Sequence, residues 1–147
     1  MPTYSVITPH GQLSAAQKAR IADAVTRIHA EITGAPLYFA QVMFHEVQAG
    51  DYFLGGRPLK DGHVFIHGEI RAGRTEEQKK LLLERIMAAV ADAGALGQSS
   101  VWVYVIEIPA EQMAEFGRML PRPGEEAAWF AGLPDEERER LESIARK

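Results

Sequence analysis

A chain of 147 residues with a net charge of −4 and no cysteine excludes disulfide scaffolding and thiol chemistry, and its acidic balance lacks the basic face that a nucleic-acid partner requires. That length suits one domain with its own core, burying about 68–70% of the unfolded surface. No apolar run approaches the roughly 20 residues of a membrane span, and the amino end has no basic segment followed by a hydrophobic block, so a soluble cytoplasmic protein without membrane contact is expected.

Met1-Pro2-Thr3-Tyr4 opens the chain. Inside a chain, proline has no N–H and its amide nitrogen exchanges no proton. With Met1 removed, Pro2 becomes a titratable secondary amine. Tyr4 and Val6 alternate with Thr3 and Ser5, which predicts a first strand over 3–8. Ser14 and Gln17 form a capping box, and Ile21, Val25, Ile28 and Ile32 recur at helical spacing until Gly34-Ala35-Pro36. Leu37 to Val47 predicts a second strand. Gly50, Gly55, Gly56, Pro58 and Gly62 mark a loop with room for a short hairpin at Tyr52-Phe53-Leu54. The pattern then recurs. Val64 to Ile70 predicts strand three, Thr75 and Gln78 a second capping box, and Leu82, Ile86, Ala89, Val90 and Ala93 a second apolar helix face that ends at Gly94 and Gly97. Val101 to Ile108 predicts strand four.

The two halves align without a gap at an offset of 61: 78 − 17 for the glutamines, 79 − 18 for Lys18 and Lys79, 107 − 46 for Glu46 and Glu107. Each half is a β-α-β unit, whose parallel strands need a crossover helix of right-handed sense. The fold class is therefore α/β (α+β), a four-stranded sheet from duplicated units with two helices on one face. A pseudo-two-fold between the units brings the start of strand one beside the end of strand three. The uncovered sheet face predicts oligomerisation. The whole chain, 1–147, reads as a single domain: repeat one over 2–47, a loop over 48–62, repeat two over 63–108, and a helical C-terminal extension over 109–147. In that extension a helical turn is expected from Glu111 to Gly117 and another from Pro123 through Trp129 and Phe130. Pro134, followed by Asp135, Glu136 and Glu137, starts a last helix toward Ala145 with a solvated face.

Six residues are candidates for chemistry. Pro2 is the first. His29 projects about 80° from Ile21, at the edge of the apolar stripe. Arg71 and Arg74 stand between a strand and a capped helix, where backbone N–H groups already favour anions, and two guanidiniums there make a carboxylate clamp; as surface residues they would instead pair with Glu69 and Glu76. Tyr104 lies mid-strand, where burial of its ring is the default and its hydroxyl needs a partner. Glu115 sits among Met113, Phe116 and Leu120, a partly desolvated position suited to general-base work. His63 and His67 share one side of strand three without a third ligand at metal spacing, so no metal is expected, and Gly55-Gly56 is too short for a phosphate loop.

Together, Pro2, His29, Arg71, Arg74, Tyr104 and Glu115 resemble the site of the tautomerase superfamily, and most closely its cis-3-chloroacrylic acid dehalogenase branch. The strings Phe39-Ala40-Gln41-Val42, Phe53-Leu54-Gly55-Gly56, Arg71-Ala72-Gly73-Arg74, Trp102-Val103-Tyr104 and Glu115-Phe116-Gly117-Arg118 match that branch in order over nearly the whole chain. The resemblance implies a homotrimer, no cofactor, and a small carboxylate substrate. It implies that the Pro2 amine is the acid or base, that Arg71 and Arg74 hold the carboxylate with help from His29, and that Tyr104 and Glu115 activate water. Hydrolytic dehalogenation of a cis-3-haloacrylate to malonate semialdehyde is the reaction it implies first. Keto-enol tautomerisation of enolpyruvates with Pro2 as base, hydration of acetylenic acids, and a non-catalytic trimeric ligand-binding module are the alternatives. One departure is Phe116, where the dehalogenase carries a tyrosine; it removes a hydroxyl beside Glu115.

Overall fold

The computed structural model describes residues 2–146; Met1, whose loss the Pro2 chemistry requires, lies outside them. Two β-α-β units build one sheet. The first comprises β1 (Thr3–Pro9), α1 (Ala15–Thr33) and β2 (Gln41–Val47). A two-stranded hairpin of β3 (Phe53–Leu54) and β4 (Arg57–Pro58) follows, and then the second unit, β5 (Val64–Arg71), α2 (Glu76–Gly94) and β6 (Val101–Ile108). The strand order is β2-β1-β5-β6. β1 runs parallel to β2 and β5 parallel to β6, while β1 and β5 meet antiparallel, with Thr3 opposite Glu69. The start of strand one thus lies at the end of strand three, as the pseudo-two-fold requires.

The few identities between the halves do the same work twice. Ser14 and Thr75 each cap their helix and accept the N–H of Gln17 and Gln78, at 3.2 and 3.1 Å. Each glutamine then reaches across to the other helix, Gln17 to the Gly94 carbonyl at 3.1 Å and Gln78 to the Ile32 carbonyl at 2.9 Å. Lys18 pairs with Glu46 at 2.6 Å, and Lys79 with Glu107 at 3.1 Å. Each of these pairs ties a helix start to the far end of its unit's second strand.

Two elements differ from expectation. Strand two begins at Gln41, because Leu37–Phe39 closes a 3-10 turn behind Pro36 and Gln41 is the residue whose N–H reaches the Pro2 carbonyl, at 2.9 Å. The helical turn expected over 111–117 is a 3-10 turn at Ala110–Gln112 followed by a second hairpin, β7 (Ala114–Glu115) and β8 (Arg118–Met119). This hairpin sits at the same offset from the first, 114 − 53 and 118 − 57 both giving 61. Its turn residues Phe116 and Gly117 have φ of 52° and 73°, and Gly55 and Gly56 have 61° and 74°. A two-residue hairpin turn with positive φ at both centres explains the match. Phe116 adopts that conformation without glycine's freedom, at roughly 1–2 kcal/mol, its ring held 5.9 Å from that of Phe39.

Both helices cover one sheet face, where Tyr4, Val6, Val64 and Ile66 pack against Ile21, Val25, Leu82 and Ile86 in one core. The other face is uncovered. Register aligns Met43, Ser5, His67 and Tyr104 across it. Tyr104 is 54% exposed rather than buried: it stands on an edge strand, on the side no helix reaches. Beyond β8 come α3 (Glu126–Ala131) and α4 (Asp135–Ala145). Leu141 anchors α4 through its one buried position, and Trp129 sits against Phe39 with ring centroids 5.4 Å apart. Among the described residues no helix is long and apolar enough to cross a membrane.

Candidate active site

The antiparallel β1–β5 pairing places Pro2, itself buried, beside the carboxyl end of β5, which terminates in Arg71. His29 reaches the same end from α1. It is buried, and its Nδ1 lies 2.8 Å from the Tyr4 hydroxyl. If the phenol accepted from Nδ1, its own proton would lack an acceptor in a buried place; donation by Tyr4 avoids that cost and leaves the imidazole proton on Nε2. Burial raises the Tyr4 pKa above its ordinary value against the opposing charge of Arg74, so the phenol stays protonated. Burial, then the Arg74 and Arg71 cations, pushes His29 down to about 3. His29 is therefore a neutral hydrogen-bond donor and no base. Gly68 makes room for this pair, since a Cβ there would stand 2.5 Å from Cε1 of the Tyr4 ring.

The depressed His29 has a consequence for stability. Below the unfolded-state value near 6.5, the unfolded chain takes up a proton that folded His29 refuses, so stability falls as pH drops toward 3. The expected slope from this group alone is about 1.4 kcal/mol per pH unit between pH 6 and 4. Urea unfolding midpoints across that window check it. A His29→Gln variant should show a shallower decline; an unchanged slope would remove His29 as the cause.

Arg71 is 1% exposed. Its Nη1 donates to the Pro121 carbonyl at 2.6 Å, and its Nη2 pairs with Glu126, not with the neighbouring Glu69. Glu126 also accepts the Gly124 N–H at 2.8 Å. Burial raises the Glu126 carboxyl, but the Arg71 hydrogen bond and charge, with backbone N–H groups, outweigh it and hold it below the ordinary range. Arg74 is half-buried, and Glu107 fixes its loop by accepting the N–H groups of Gly73 and Arg74 at 3.1 and 3.2 Å. The Nε atoms of Arg71 and Arg74 are buried with no hydrogen-bond partner among the described residues, so the pair retains donor capacity for an anion.

Glu115, half-buried, lines a cleft of about 760 Å³ together with Thr3, Tyr38, Gln41, Glu69 and Phe116. The two arginines are not part of that lining. Thr3 links the cleft to Pro2 and the arginine end. Tyr104 stands apart on the open face, its ring edge-on to Phe65 at 5.0 Å. Pro2, His29, Arg71 and Arg74 thus gather at one end of the sheet, with Glu115 bordering the adjoining cleft. The repeat has no second copy of this group: the offset carries Pro2 onto His63 (63 − 2), which is buried and edge-on to Tyr52 and Trp102 at 5.6 and 5.1 Å.

Two participants escape a linear reading. Tyr4 was legible in principle, as a tyrosine on the core face of β1 needing a polar partner and His29 the ring available on α1. Glu126 carries no local signal, because it meets Arg71 across 55 residues of chain.

A family model described as "Putative oxalocrotonate tautomerase enzyme" matches residues 1–132. The crystal structure of N1, a member of the cis-3-chloroacrylic acid dehalogenase (cis-CaaD) family, superposes with a TM-score of 0.93 at 46% identity, over 96% of this chain and 99% of that one. Native Ps01740 is similar at 32% identity and TM-score 0.73, over 77% of this chain and 99% of that one. Native fused 4-OT gives 26% identity and TM-score 0.74, over 80% and 94%. No curated protein matches the chain.

Proposed function

Because the chain belongs to the tautomerase superfamily, on its cis-3-chloroacrylic acid dehalogenase branch, we propose that this enzyme adds water to a short, 3-substituted unsaturated carboxylic acid, with hydrolytic dehalogenation of a cis-3-haloacrylate as the leading case. The observation that carries this reading is the gathering of Pro2, neutral His29 and two arginines with unspent donors at one sheet end, beside a cleft that holds Glu115. With Met1 removed, the Pro2 amine is the general acid. Arg74, with His29 donating from Nε2, holds the substrate carboxylate, and Arg71 offers the Nε donor that its pairing with Glu126 leaves unused. Drawing electron density into that carboxylate makes C3 electrophilic. Glu115 takes a proton from water as the water oxygen bonds to C3, Pro2 delivers a proton to C2, and the resulting halohydrin loses halide from C3 and its hydroxyl proton to give malonate semialdehyde.

Protonated Pro2 suits this hydration, and the neighbouring arginines oppose that charge. The Arg71–Glu126 pair cancels one of the two cations, which favours the protonated amine. Tyr104, exposed on the uncovered face, reaches a cleft only from an adjacent copy, in a homotrimer that covers that face; fused 4-OT structures described as asymmetric trimers support this assembly.

A second reading, keto-enol tautomerisation with neutral Pro2 as base, draws on the likeness to fused 4-OT. The mature protein, incubated with cis-3-chloroacrylate, propynoate and phenylenolpyruvate and followed by NMR, separates the two. Hydration predicts malonate semialdehyde from the first two, and a loss on the order of 10²–10⁴ in Glu115→Gln as the general base is removed. Turnover confined to phenylenolpyruvate and indifferent to Glu115→Gln would replace hydration by tautomerisation.

A further inference from the structure

We propose that Glu126 is a specificity-determining residue that, by pairing with Arg71, leaves the site one uncompensated guanidinium and so selects monocarboxylates over dicarboxylates. This rests on reading the site as a carboxylate binder. Both terminal nitrogens of Arg71 are committed to the C-terminal extension, one to the Pro121 carbonyl and one to Glu126. Glu126 is fixed in turn, because its second oxygen accepts the Gly124 N–H at 2.8 Å. The glutamate is thus placed by backbone as well as by its ion pair.

Its charge also reaches the substrate space. Tyr38 lines the cleft and stacks at 5.8 Å on Phe130, of the same helix α3 that begins with Glu126, and its phenol is raised first by burial and then by Glu126. Arg74 feels the same carboxylate. Arg71, Arg74 and Glu126 sum to one positive charge, which a single substrate carboxylate neutralises. The protonated Pro2 amine is committed to C2, so a second carboxylate carried on C3 would face the cleft lined by Glu115 and Glu69 while Glu126 holds Arg71, and like charges there repel strongly. Removing the Glu126 charge returns Arg71 to the count and gives a dianion its second partner.

Isothermal titration at pH 8 with cis-but-2-enoate and maleate tests this, since both are ionised cis-alkenes that differ by a methyl against a carboxylate. Wild type should bind the monoanion more tightly, by about tenfold or more. Glu126→Gln should move the ratio toward maleate by about tenfold or more, and Glu126→Ala repeats the measurement if the glutamine variant does not fold. A merely structural ion pair would weaken both ligands alike, so a ratio unmoved within about threefold, with cis-but-2-enoate still bound, overturns the role of Glu126 alone. Failure of wild type to bind either ligand overturns the carboxylate site itself.

Discussion

Replacing Pro2 with alanine is expected to lower kcat/KM for the proposed hydration by a factor on the order of 10²–10⁴ and to leave the fold intact. The fold should survive because the hydrogen bond that ties Pro2 to the sheet runs through its carbonyl, which accepts the Gln41 N–H at 2.9 Å and is retained in alanine. The loss arises because a general acid works only within hydrogen-bond reach of the carbon it protonates, and the pyrrolidine ring fixes the nitrogen's direction from a buried position beside β5. Alanine keeps an amine but frees its orientation. The checks are steady-state kinetics, thermal unfolding and an intact mass of each protein. Turnover unchanged in Pro2→Ala would remove Pro2 from the mechanism, and so would full activity in a protein that retains Met1, whose Pro2 nitrogen is an amide.

Much of this architecture is written locally, and the reasons are physical. Capping boxes at Ser14 and Thr75, apolar spacing along both helices and alternation in β1 are short-range patterns, and the structure follows them. The offset of 61 carried more than similarity. Gln17 and Gln78 bond across the helix pair, and Lys18–Glu46 and Lys79–Glu107 close equivalent bridges, so the residues shared by the halves are those the pseudo-two-fold uses twice. Extending the offset would have exposed the second hairpin. Gly55-Gly56 falls on Phe116-Gly117, and the phenylalanine hides a turn that its first-half counterpart announces with glycine.

The site was less legible because its geometry is non-local. Tyr104 was expected in a core by analogy with other mid-strand positions, but burial depends on which face the helices cover, and β6 turns this residue outward. Arg71 and Arg74 read as equivalent in the sequence. They are not: each terminal nitrogen of Arg71 donates to a residue 50 or 55 positions away, while Arg74 is held through its backbone by Glu107. A loop with two arginines announces an anion site, but only the fold decides which cation the protein has already spent.

That difference gives the second large effect. Arg71→Met strips the cation from a pair whose other member, Glu126, is only partly buried, and leaves the Pro121 carbonyl without its donor, so the cost falls at the low end of that for breaking a buried pair from one side, about 3 kcal/mol. For a chain of this size about 1 kcal/mol moves Tm by 2–4 °C, so Tm should fall on the order of 10 °C, with turnover lost alongside. Arg74→Ala should behave otherwise. The Arg74 Nε has no protein partner, and the hydrogen bond from its backbone N–H to Glu107 at 3.2 Å survives the substitution. What it loses is a charge-assisted contact to the substrate carboxylate, about 1.5–3 kcal/mol or roughly 10–150-fold in kcat/KM, expressed mainly in KM if the contact is made equally in the ground state. Thermal unfolding and kinetics of both variants, measured side by side, decide the assignment. Equal Tm losses would show that Glu126 does not anchor Arg71, whereas an Arg74→Ala enzyme with wild-type KM and kcat would show that the substrate carboxylate binds elsewhere.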